Sequence, residues 1–164
     1  MKFIPFKKIS FDSNAISGAL HLLKTGSIGY GNTVIEFENE LAKYTGAKYV
    51  VAMDSCTSAI GLALEYYRYK HFGYPSMNCV SSLVGIPSMT FATVASECIH
   101  KNINFYFTDN TEWVGSDYKL VGTNIWDSAH DVRKDQLLEK SRFGCICYSL
   151  YPTKLIGCPD GGVS

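Results

Sequence analysis

The sequence has neither an excess of one charge nor a long apolar run, and each absence excludes a class of protein. Fifteen lysine and arginine residues balance fifteen aspartate and glutamate residues. Because there is no basic stripe and no aromatic-plus-arginine platform, we expect no nucleic-acid partner. No apolar stretch approaches the roughly 20 residues that span a bilayer, so we expect no membrane partner either.

Signals of secretion are also absent. The N-terminal residues lack the apolar run and the small-residue cleavage site of a signal peptide, and there is no Asn-x-Ser/Thr sequon. Among the six cysteines, Cys145 and Cys147 alternate along an apparent strand and should face one side. Without an accompanying histidine or second cysteine pair, we interpret them as small buried apolar residues rather than metal ligands. The sequence therefore indicates a cytoplasmic protein with no metal site.

The residues that are present have the composition and order of an α/β domain. Hydrophobic residues make up 46% and charged residues 18% of the 164 residues, as in a globular protein. The length is that of one domain, spanning 1–164. After two amphipathic helices, apolar β-like runs alternate with helical periodicity. This alternation predicts three layers, with a mostly parallel sheet flanked by helices.

The bounds of the predicted elements follow from the hydrophobic period and from residues that cap or end helices. The first two helices begin after Asp12 and near Val34, and Gly26 and Gly46 end them. The strands are predicted at 48–53, 80–85, 103–107, 118–126 and 143–151, and Gly122 interrupts the fourth of them. The later helices are predicted at 58–69, 90–100 and, as a charged helix or loop, 132–141.

Four polar residues lie just beyond the carboxyl ends of these strands: Ser55, Asp109, Asp127 and Lys154. In open α/β sheets, ligands bind at that edge. The sequence therefore predicts that these side chains surround one ligand site.

The turn Ser55-Cys56-Thr57 opens a helix directly after a buried strand. Free backbone N–H groups, the positive end of the helix dipole and the hydroxyls would bind a phosphate there. The alternative is an ordinary helix cap made by Ser55 or Thr57.

Asp127 and Lys154 have chemistry that suits a pyridine-aldehyde cofactor. A carboxylate at the end of an apolar strand is costly unless it is paired. A protonated pyridine nitrogen would pair Asp127 and keep its pKa down, which makes the ring an electron sink. Lys154, if desolvated beside that cationic ring, would form a Schiff base with the aldehyde. In isolation, Asp127 could equally cap the following turn, and a loop lysine is ordinarily solvated.

Two further residues could face the same pocket. His130 follows Asp127 by three residues, although a surface or core histidine is the ordinary interpretation. Phe91 could stack on the cofactor ring, or it could belong to the core. Taken in order along the chain, the phosphate turn, Phe91, Asp127 and Lys154 suggest pyridoxal phosphate held on a lysine.

These residues resemble the DegT/StrS-type family of nucleotide-sugar aminotransferases, which bind pyridoxal phosphate in the aspartate-aminotransferase fold (fold type I). The resemblance runs from near Gly29 to the end of the chain. Its first part consists of Gly29-Tyr-Gly31, Glu36-Phe37-Glu38 and the segment 44–51. The site motifs that are similar are Ser55-Cys-Thr57-Ser-Ala59, Pro87-Ser-Met-Thr-Phe91, Asp127-Ser-Ala-His130, Ser149, Lys154 and Gly161-Gly162.

The resemblance implies a role for each matching residue and a reaction. The implied cofactor contacts are Ser55, Cys56, Thr57 and Ser149 on the phosphate, Phe91 on the ring face, Asp127 on the pyridine nitrogen with His130 beside it, and Lys154 as the catalytic Schiff-base lysine. An amino donor such as glutamate would pass its amino group, through the cofactor, to a keto sugar linked to a nucleotide. Some relatives carry histidine in place of this lysine and dehydrate the sugar, so Lys154 favours transamination.

Departures from the family motifs lead to two further expectations. The segment between Asp109 and Asp127 is short for the strand and helix that the family places there, so we expect a reduced or rebuilt sheet. The chain stops at Ser164, before the small domain of the family, so we expect a homo-oligomer, such as a homodimer, or a complementing chain to complete the site. The alternative function is that of a degenerate or split-gene remnant, which would bind the cofactor or a partner without turnover.

Overall fold

The computed structural model describes residues 9–72, 83–140 and 144–164. Its helices are α1 (Ser13–Thr25), α2 (Asn32–Thr45), α3 (Cys56–Phe72), α4 (Ala92–His100) and α5 (Gln136–Lys140). Its strands are β1 (Ala52–Met53), β2 (Leu83–Pro87), β3 (Asn104–Thr108), β4 (Tyr118–Lys119), β5 (Ile125–Asp127), β6 (Cys145–Ser149) and β7 (Gly162–Val163). The first residues of two predicted strands, 80–82 and 143, lie outside the described ranges.

The two N-terminal helices are confirmed, and local capping explains their ends. Asp12 Oδ1 accepts a hydrogen bond from Ala15 N–H at 2.7 Å, which satisfies one of the free donors of the first turn. Gly26 and Gly46 end α1 and α2 with φ of 73° and 75°, a left-handed conformation that glycine adopts without steric cost. Within the described ranges, no helix is long and apolar enough to cross a membrane.

The strands form a five-stranded sheet in the order β1–β7–β6–β5–β4 and a separate pair, β2–β3. Gly85 and Val121 exchange backbone hydrogen bonds of 3.1 and 2.9 Å, which join the pair to the larger sheet. The two longer ladders, β2–β3 and β5–β6, are parallel, whereas the two-residue ladders β1–β7, β6–β7 and β4–β5 are antiparallel. The fold is therefore α/β, as predicted, with a mixed sheet.

The strand predicted over 118–126, with its interruption at Gly122, is two strands, β4 and β5, which form a tight hairpin. Gly122 has φ +84°, and Leu120 N–H donates to Ile125 O at 2.9 Å across the turn. Thr123 Oγ1 completes the turn by donating to Leu120 O and accepting from Ile125 N–H. The shortened sheet that we expected between Asp109 and Asp127 takes the form of this hairpin.

The first strand is shorter than predicted, and its partner strand was not predicted. β1 pairs with β7, and Val51 continues the pairing by exchanging backbone hydrogen bonds of 2.8 and 3.1 Å with Ser164. Glu38 Oε1 accepts from Ala52 N–H at 2.8 Å, so α2 is tied to the start of β1. β7 is a two-residue strand in a glycine-rich segment and has no apolar period of its own.

Helices cover both faces of the sheet, which gives the three layers that were predicted. On β6, Cys147 faces a core that α3 and α4 share, and Cys145 packs against the same core. Ile146 and Tyr148 face the opposite way, into a second core with Leu41 of α2. The two cysteines therefore share one face, as predicted, and Cys147 is buried. The interpretation of Cys145 as a buried apolar residue is wrong, because it is half-buried and its Sγ lies 2.7 Å from Ser164 Oγ.

Candidate active site

A cavity of about 490 Å³ opens at the carboxyl ends of β1, β5 and β6. Its volume lies within the range of small-molecule and cofactor pockets. The residues that the family resemblance implies as cofactor contacts all line it: Ser55, Cys56, Thr57, Phe91, Asp127, His130, Ser149 and Lys154. Asp109, which the strand-end argument placed nearby, is exposed and is not among the residues that line this cavity.

The N-terminus of α3 forms one end of the cavity. Ser55 Oγ accepts a hydrogen bond from Ser58 N–H at 3.2 Å, so Ser55 caps the helix, as the alternative interpretation proposed, while it also lines the cavity. Thr57 Oγ1 lies 3.0 Å from Thr93 Oγ1 of α4. Ser149, at the end of β6, adds a third hydroxyl to the lining. Hydroxyls and the positive end of a helix dipole converge here, which is the chemistry of an anion site.

The backbone of Gly162 in β7 lies directly against this helix terminus. A Cβ atom at position 162 would lie 2.1 Å from the carbonyl carbon of Ser55 and 2.2 Å from the nitrogen of Cys56. These distances are far inside van der Waals contact, so only glycine permits the approach. The second glycine after the lysine therefore has a steric role in holding the Ser55-Cys56-Thr57 turn in place.

Asp127, at the end of β5, contributes a carboxylate to the cavity lining, and its side chain is almost fully buried. Tyr118 O–H donates to Asp127 Oδ2 at 2.7 Å, and Ala129 N–H donates to Oδ1 at 3.0 Å. The second bond is the turn cap that was the alternative for this residue. Burial raises the pKa of Asp127, and the Tyr118 and Ala129 hydrogen bonds and the charges of His130 and Lys154 oppose that rise only in part. A cation in the cavity would complete the pairing of this carboxylate.

Lys154 and His130 are in contact with each other in the cavity lining. Lys154 Nζ lies 3.0 Å from His130 Nε2, and the lysine is half-buried. Burial, followed by the positive charge of Lys154, lowers the pKa of His130. A neutral imidazole can accept a hydrogen bond from Lys154 at Nε2, so the pair holds the amine in the cavity without adding a second positive charge.

Phe91 stands at the mouth of the cavity with 73% of its surface exposed. The alternative that it belongs to the core is therefore wrong. It precedes α4 directly, in the turn after β2. An aromatic ring in this position is available to cover a ligand rather than to stabilise the ligand-free fold.

The loop after Asp127 is fixed by a buried glutamine that sequence reasoning missed. Gln136 Nε2 donates to Asp117 Oδ2 and Ser128 Oγ at 2.8 and 2.9 Å. Gln136 Oε1 accepts from Tyr148 O–H and Arg133 N–H, both at 3.1 Å. All the hydrogen-bonding groups of this amide are thus used, which ties α5, β6 and the segment before β4 to the residue that follows Asp127.

Other cavity residues were also missed, and they come from the hairpin and the neighbouring turns. They include Thr90, Trp113, Ser116, Tyr118, Tyr151 and Asp160. Tyr118 was read as part of a longer strand. A signal was present in the sequence, since a tyrosine opposite the strand-end aspartate would follow from a hairpin centred on Gly122.

Comparison with known protein families gives a match to residues 10–114 of the chain. The matching model is that of the DegT/DnrJ/EryC1/StrS aminotransferase family. The matched range includes Ser55, Thr57 and Phe91, and ends before Asp127 and Lys154. The spore coat polysaccharide biosynthesis protein SpsC of Bacillus subtilis (strain 168) is 32% identical over 110 residues, which are 67% of this chain and 26% of SpsC.

Solved structures resemble the chain over nearly its whole length. A putative PLP-dependent aminotransferase from Bacillus cereus has a TM-score of 0.71 at 16% identity, with 99% of this chain and 54% of that one covered. The PLP form of the putative sugar aminotransferase Spr1654 from Streptococcus pneumoniae has a TM-score of 0.69 at 16% identity, with 98% and 52% covered. GDP-4-keto-6-deoxy-D-mannose-3-dehydratase from E. coli, with bound hydrated PLP, has a TM-score of 0.68 at 13% identity, with 97% and 50% covered.

These likenesses establish the fold, which is the fold type I architecture that the sequence motifs predicted. The chain spans about half the length of these structures and about a quarter of SpsC.

Proposed function

The chain belongs to the DegT/DnrJ/EryC1/StrS aminotransferase family, and from this premise we propose that its cavity binds pyridoxal 5'-phosphate on Lys154. The reaction we propose is transfer of an amino group from an amino acid, with glutamate as the first candidate, to a keto sugar linked to a nucleotide. The observation that carries the proposal is the convergence, in one cavity of about 490 Å³, of a helix N-terminus, a buried carboxylate and a primary amine. Each of these three groups fits a different part of the cofactor.

The N-terminus of α3 fits the phosphate. Ser55, Thr57 and Ser149 bring hydroxyls to the cavity wall, and α3 extends for 17 residues behind them. A helix of this length presents its positive end to the anion, and backbone N–H groups of the first turn can donate to phosphate oxygens. Cys56 would contribute its backbone N–H here. Burial raises the pKa of its thiol, so the sulfur stays neutral and does not repel the phosphate.

Asp127 fits the pyridine nitrogen. A 6% exposed carboxylate whose pKa is raised by burial lacks a full counter-charge in the ligand-free chain. A protonated ring nitrogen would provide that charge, and the ionised carboxylate would in turn keep the nitrogen protonated. Phe91, at the mouth, would cover the ring from the solvent side.

Lys154 supplies the amine. Bound pyridoxal phosphate provides an aldehyde that links covalently to amines and a protonated ring that withdraws electrons from the linked carbon. Lys154 Nζ would hold the cofactor and, when free, would move a proton near it. His130 Nε2, at 3.0 Å, would orient Nζ by accepting its hydrogen bond.

A lysine at position 154 favours amino transfer over dehydration. Comparable folds include both a putative sugar aminotransferase and a sugar 3-dehydratase. In the resemblance on which the proposal rests, dehydrating relatives carry histidine where this chain has Lys154. The primary amine of Lys154 supports the transaminase assignment because it can both hold the cofactor and shuttle the proton.

The substrate side of the cavity is open, and we propose that a second chain closes it. Phe91 and Tyr151 line the cavity and are largely exposed. A homodimer or a complementing chain would cover this side, exclude water and supply further contacts to the nucleotide sugar. In the alternative, the chain binds the cofactor and performs no turnover by itself.

The test is visible absorbance of the purified chain with added pyridoxal phosphate, followed by borohydride reduction and peptide mass spectrometry. We expect an absorbance band and a reduced adduct on Lys154, both absent in Lys154→Ala. Lys24→Ala, which alters an exposed lysine of α1, is the matched control and should retain both. Absence of the band and adduct from the wild-type chain would contradict the cofactor proposal.

Addition of amino donors then separates the two functional candidates. Loss of the band with glutamate, and its return with a nucleotide-linked keto sugar, is expected for the aminotransferase. A band that no amino acid bleaches, either in the chain alone or with a complementing chain, would favour a cofactor-binding module without turnover.

A further inference from the structure

The hairpin of β4 and β5 places a buried tyrosine directly opposite the strand-end aspartate. Tyr118 and Asp127 are paired residues in the antiparallel ladder, so their side chains project from the same face of the sheet. Tyr118 O–H donates to Asp127 Oδ2 at 2.7 Å, and the two side chains are only 5% and 6% exposed. A short hydrogen bond from a neutral donor to a buried carboxylate is among the stronger kinds in proteins.

Thr90 extends this contact into a chain of three groups. Its Oγ1 hydrogen-bonds to Tyr118 O–H from the turn between β2 and α4. A phenol has one proton, so when Tyr118 donates to an ionised Asp127 its oxygen must accept from Thr90. When Asp127 is protonated, the order can reverse, with Asp127 donating to Tyr118 and Tyr118 donating to Thr90. The direction of the chain therefore depends on the charge of Asp127.

Trp113 holds the phenol in place. Its ring lies 4.8 Å from the Tyr118 ring, centroid to centroid, at an interplanar angle of 57°. Trp113 Nε1 donates to Asn110 O at 2.9 Å, which fixes the indole. With Trp113 against its ring and Asp127 and Thr90 on its hydroxyl, Tyr118 has little freedom to leave the carboxylate.

On the basis of the proposed function, we propose that Tyr118, supported by Thr90, is the positioning residue of the cofactor's ring-nitrogen site. Its hydroxyl orients the Asp127 carboxylate toward the cavity and favours the ionised form that a protonated ring nitrogen requires. Tyr118 acts only through Asp127 and does not contact the reacting atoms.

The surroundings of Asp127 support this role. The titratable groups that face it are Tyr118 from β4, Cys56 from α3, Cys147 from β6, and His130 and Lys154 from the loops. Burial raises the pKa of Asp127, and the hydrogen bond from Tyr118 is the largest of the effects that lower it. Loss of the hydroxyl would therefore raise the pKa of Asp127 further and weaken its attraction for a cation.

The experiment compares Tyr118→Phe with Tyr30→Phe, which removes another hydroxyl that donates to a carboxylate, that of Glu38, away from the cavity. In the ligand-free chain, an infrared pH titration would follow the protonated-carboxyl band of Asp127, assigned by its loss in Asp127→Asn. We expect the band to persist to higher pH in Tyr118→Phe and to be unchanged in Tyr30→Phe. We also expect the affinity for pyridoxal phosphate to fall about 10-fold in Tyr118→Phe only, as for the loss of one hydrogen bond to a charged group.

Thr90 variants keep the proposal testable if Tyr118→Phe does not fold. Thr90→Val removes the donor to the phenol while leaving the phenol in place, and we expect a smaller shift of the Asp127 titration in the same direction. Thr90→Ser keeps the hydroxyl and should restore wild-type titration. An unchanged Asp127 titration in both Tyr118→Phe and Thr90→Val would overturn the positioning role.

The two proposals fail in different ways. If the wild-type chain does not bind pyridoxal phosphate, the proposed function fails, and the infrared titration still decides whether Tyr118 controls Asp127. If the wild-type chain binds the cofactor and Tyr118→Phe binds it equally with the same Asp127 titration, the function stands and the positioning role is overturned.

Discussion

At the scale of single residues, Asp127 combines a cost to the ligand-free fold with a benefit to binding. Its carboxylate is buried and accepts from Tyr118 O–H and Ala129 N–H, yet burial still raises its pKa. A raised carboxyl pKa means that the folded chain holds the proton more tightly than the unfolded chain. The stability that follows is fully present below the unfolded pKa and is lost as the pH rises through the folded pKa.

We therefore expect Asp127→Asn to stabilise the ligand-free chain at neutral pH, by roughly 1–3 kcal/mol, and to abolish pyridoxal phosphate binding. The asparagine fits because its Oδ1 can accept from Ala129 N–H and its Nδ2 can donate to Tyr118, which then donates to Thr90. Urea denaturation at several pH values would measure the free energy of unfolding. The gain should shrink as the pH falls through the raised pKa of Asp127, because the wild-type carboxyl then takes up its proton.

The control for this prediction is Asp109→Asn, an exposed aspartate beyond the end of β3. It removes the same charge from the chain without touching the cavity, so we expect little change in stability. An Asp127→Asn variant that is less stable than wild type at neutral pH would show that the carboxylate is already well paired.

Some residues of the candidate site could be identified from the sequence, and others could not. Ser55, Asp127 and Lys154 were identified because polar residues at strand ends are conspicuous after apolar runs. Tyr118 was missed because a tyrosine in an apolar β-like run is the expected residue there, and nothing local distinguishes a packing tyrosine from one that donates to a carboxylate. Its role depends on a partner nine positions away along the chain, across a turn.

At the scale of secondary-structure elements, β7 sets the position of the α3 N-terminus. The backbone of Gly162 lies against Ser55 and Cys56 at distances that exclude any side chain. Ser55 and Gly161 also form a parallel bridge, so two successive residues of this segment contact the turn. The proposed phosphate site is therefore built by two elements that are far apart in sequence.

We expect Gly162→Ala to destabilise the chain by about 1–3 kcal/mol, the usual cost of overpacking, and to weaken phosphate binding. The added Cβ would force β7 and the Ser55-Cys56-Thr57 turn apart. Thermal denaturation and the affinity for pyridoxal phosphate, compared with that for the phosphate-free aldehyde pyridoxal, would measure the two effects. Binding of pyridoxal should be affected less than binding of the phosphorylated form.

Gly18→Ala in α1 is the matched control, because a Cβ at position 18 would meet no atom within 4 Å. Alanine is the better helix former, so this variant should be neutral or slightly stabilising, by up to about 1 kcal/mol. Equal destabilisation by the two substitutions would argue against a specific steric role for Gly162.

The helices were predicted more accurately than the strands, for a reason that lies in the elements themselves. A helix such as α1 makes its hydrogen bonds and caps within one segment, so Asp12 and Gly26 mark its ends in the sequence. A two-residue strand such as β4 or β7 has no period to detect, and it exists only because another strand pairs with it. Gly122 marked an interruption in the predicted strand, but the antiparallel pairing of β4 with β5 across it was not predicted.

At the scale of the whole molecule, the N-terminal helix presents an apolar stripe to solvent. Ile16, Leu20 and Leu23 lie on one side of α1 at helical spacing, and each is between 46% and 69% exposed. No residue of α1 is buried. An amphipathic helix whose apolar side is uncovered is typical of a surface that meets another chain.

We expect the chain to self-associate through this stripe, and Leu20→Glu to shift the equilibrium toward monomer by about 10-fold or more. The glutamate would place a charge where an apolar side chain is otherwise buried between chains. Sedimentation velocity over a range of concentrations would measure the change. His21→Glu, which adds a carboxylate at an exposed position on another side of α1, should leave the association unchanged. A wild-type chain that is a single monomeric species at tens of micromolar would contradict the prediction.

Local sequence was enough for the α/β class, for the ends of α1 and α2, and for eight of the residues that line the cavity. These features depend on short-range physics, namely hydrophobic period, capping, and the change from an apolar strand to a polar turn. The order of the strands and the antiparallel β7 were decided by pairing between distant segments, and the hairpin at Gly122 by pairing of β4 with β5 across a turn. The two contacts that complete the candidate site, Tyr118 on Asp127 and Gly162 against Ser55, depend on that same pairing of strands. A hydrogen bond or a steric contact between two segments leaves no hydrophobic period in either segment alone.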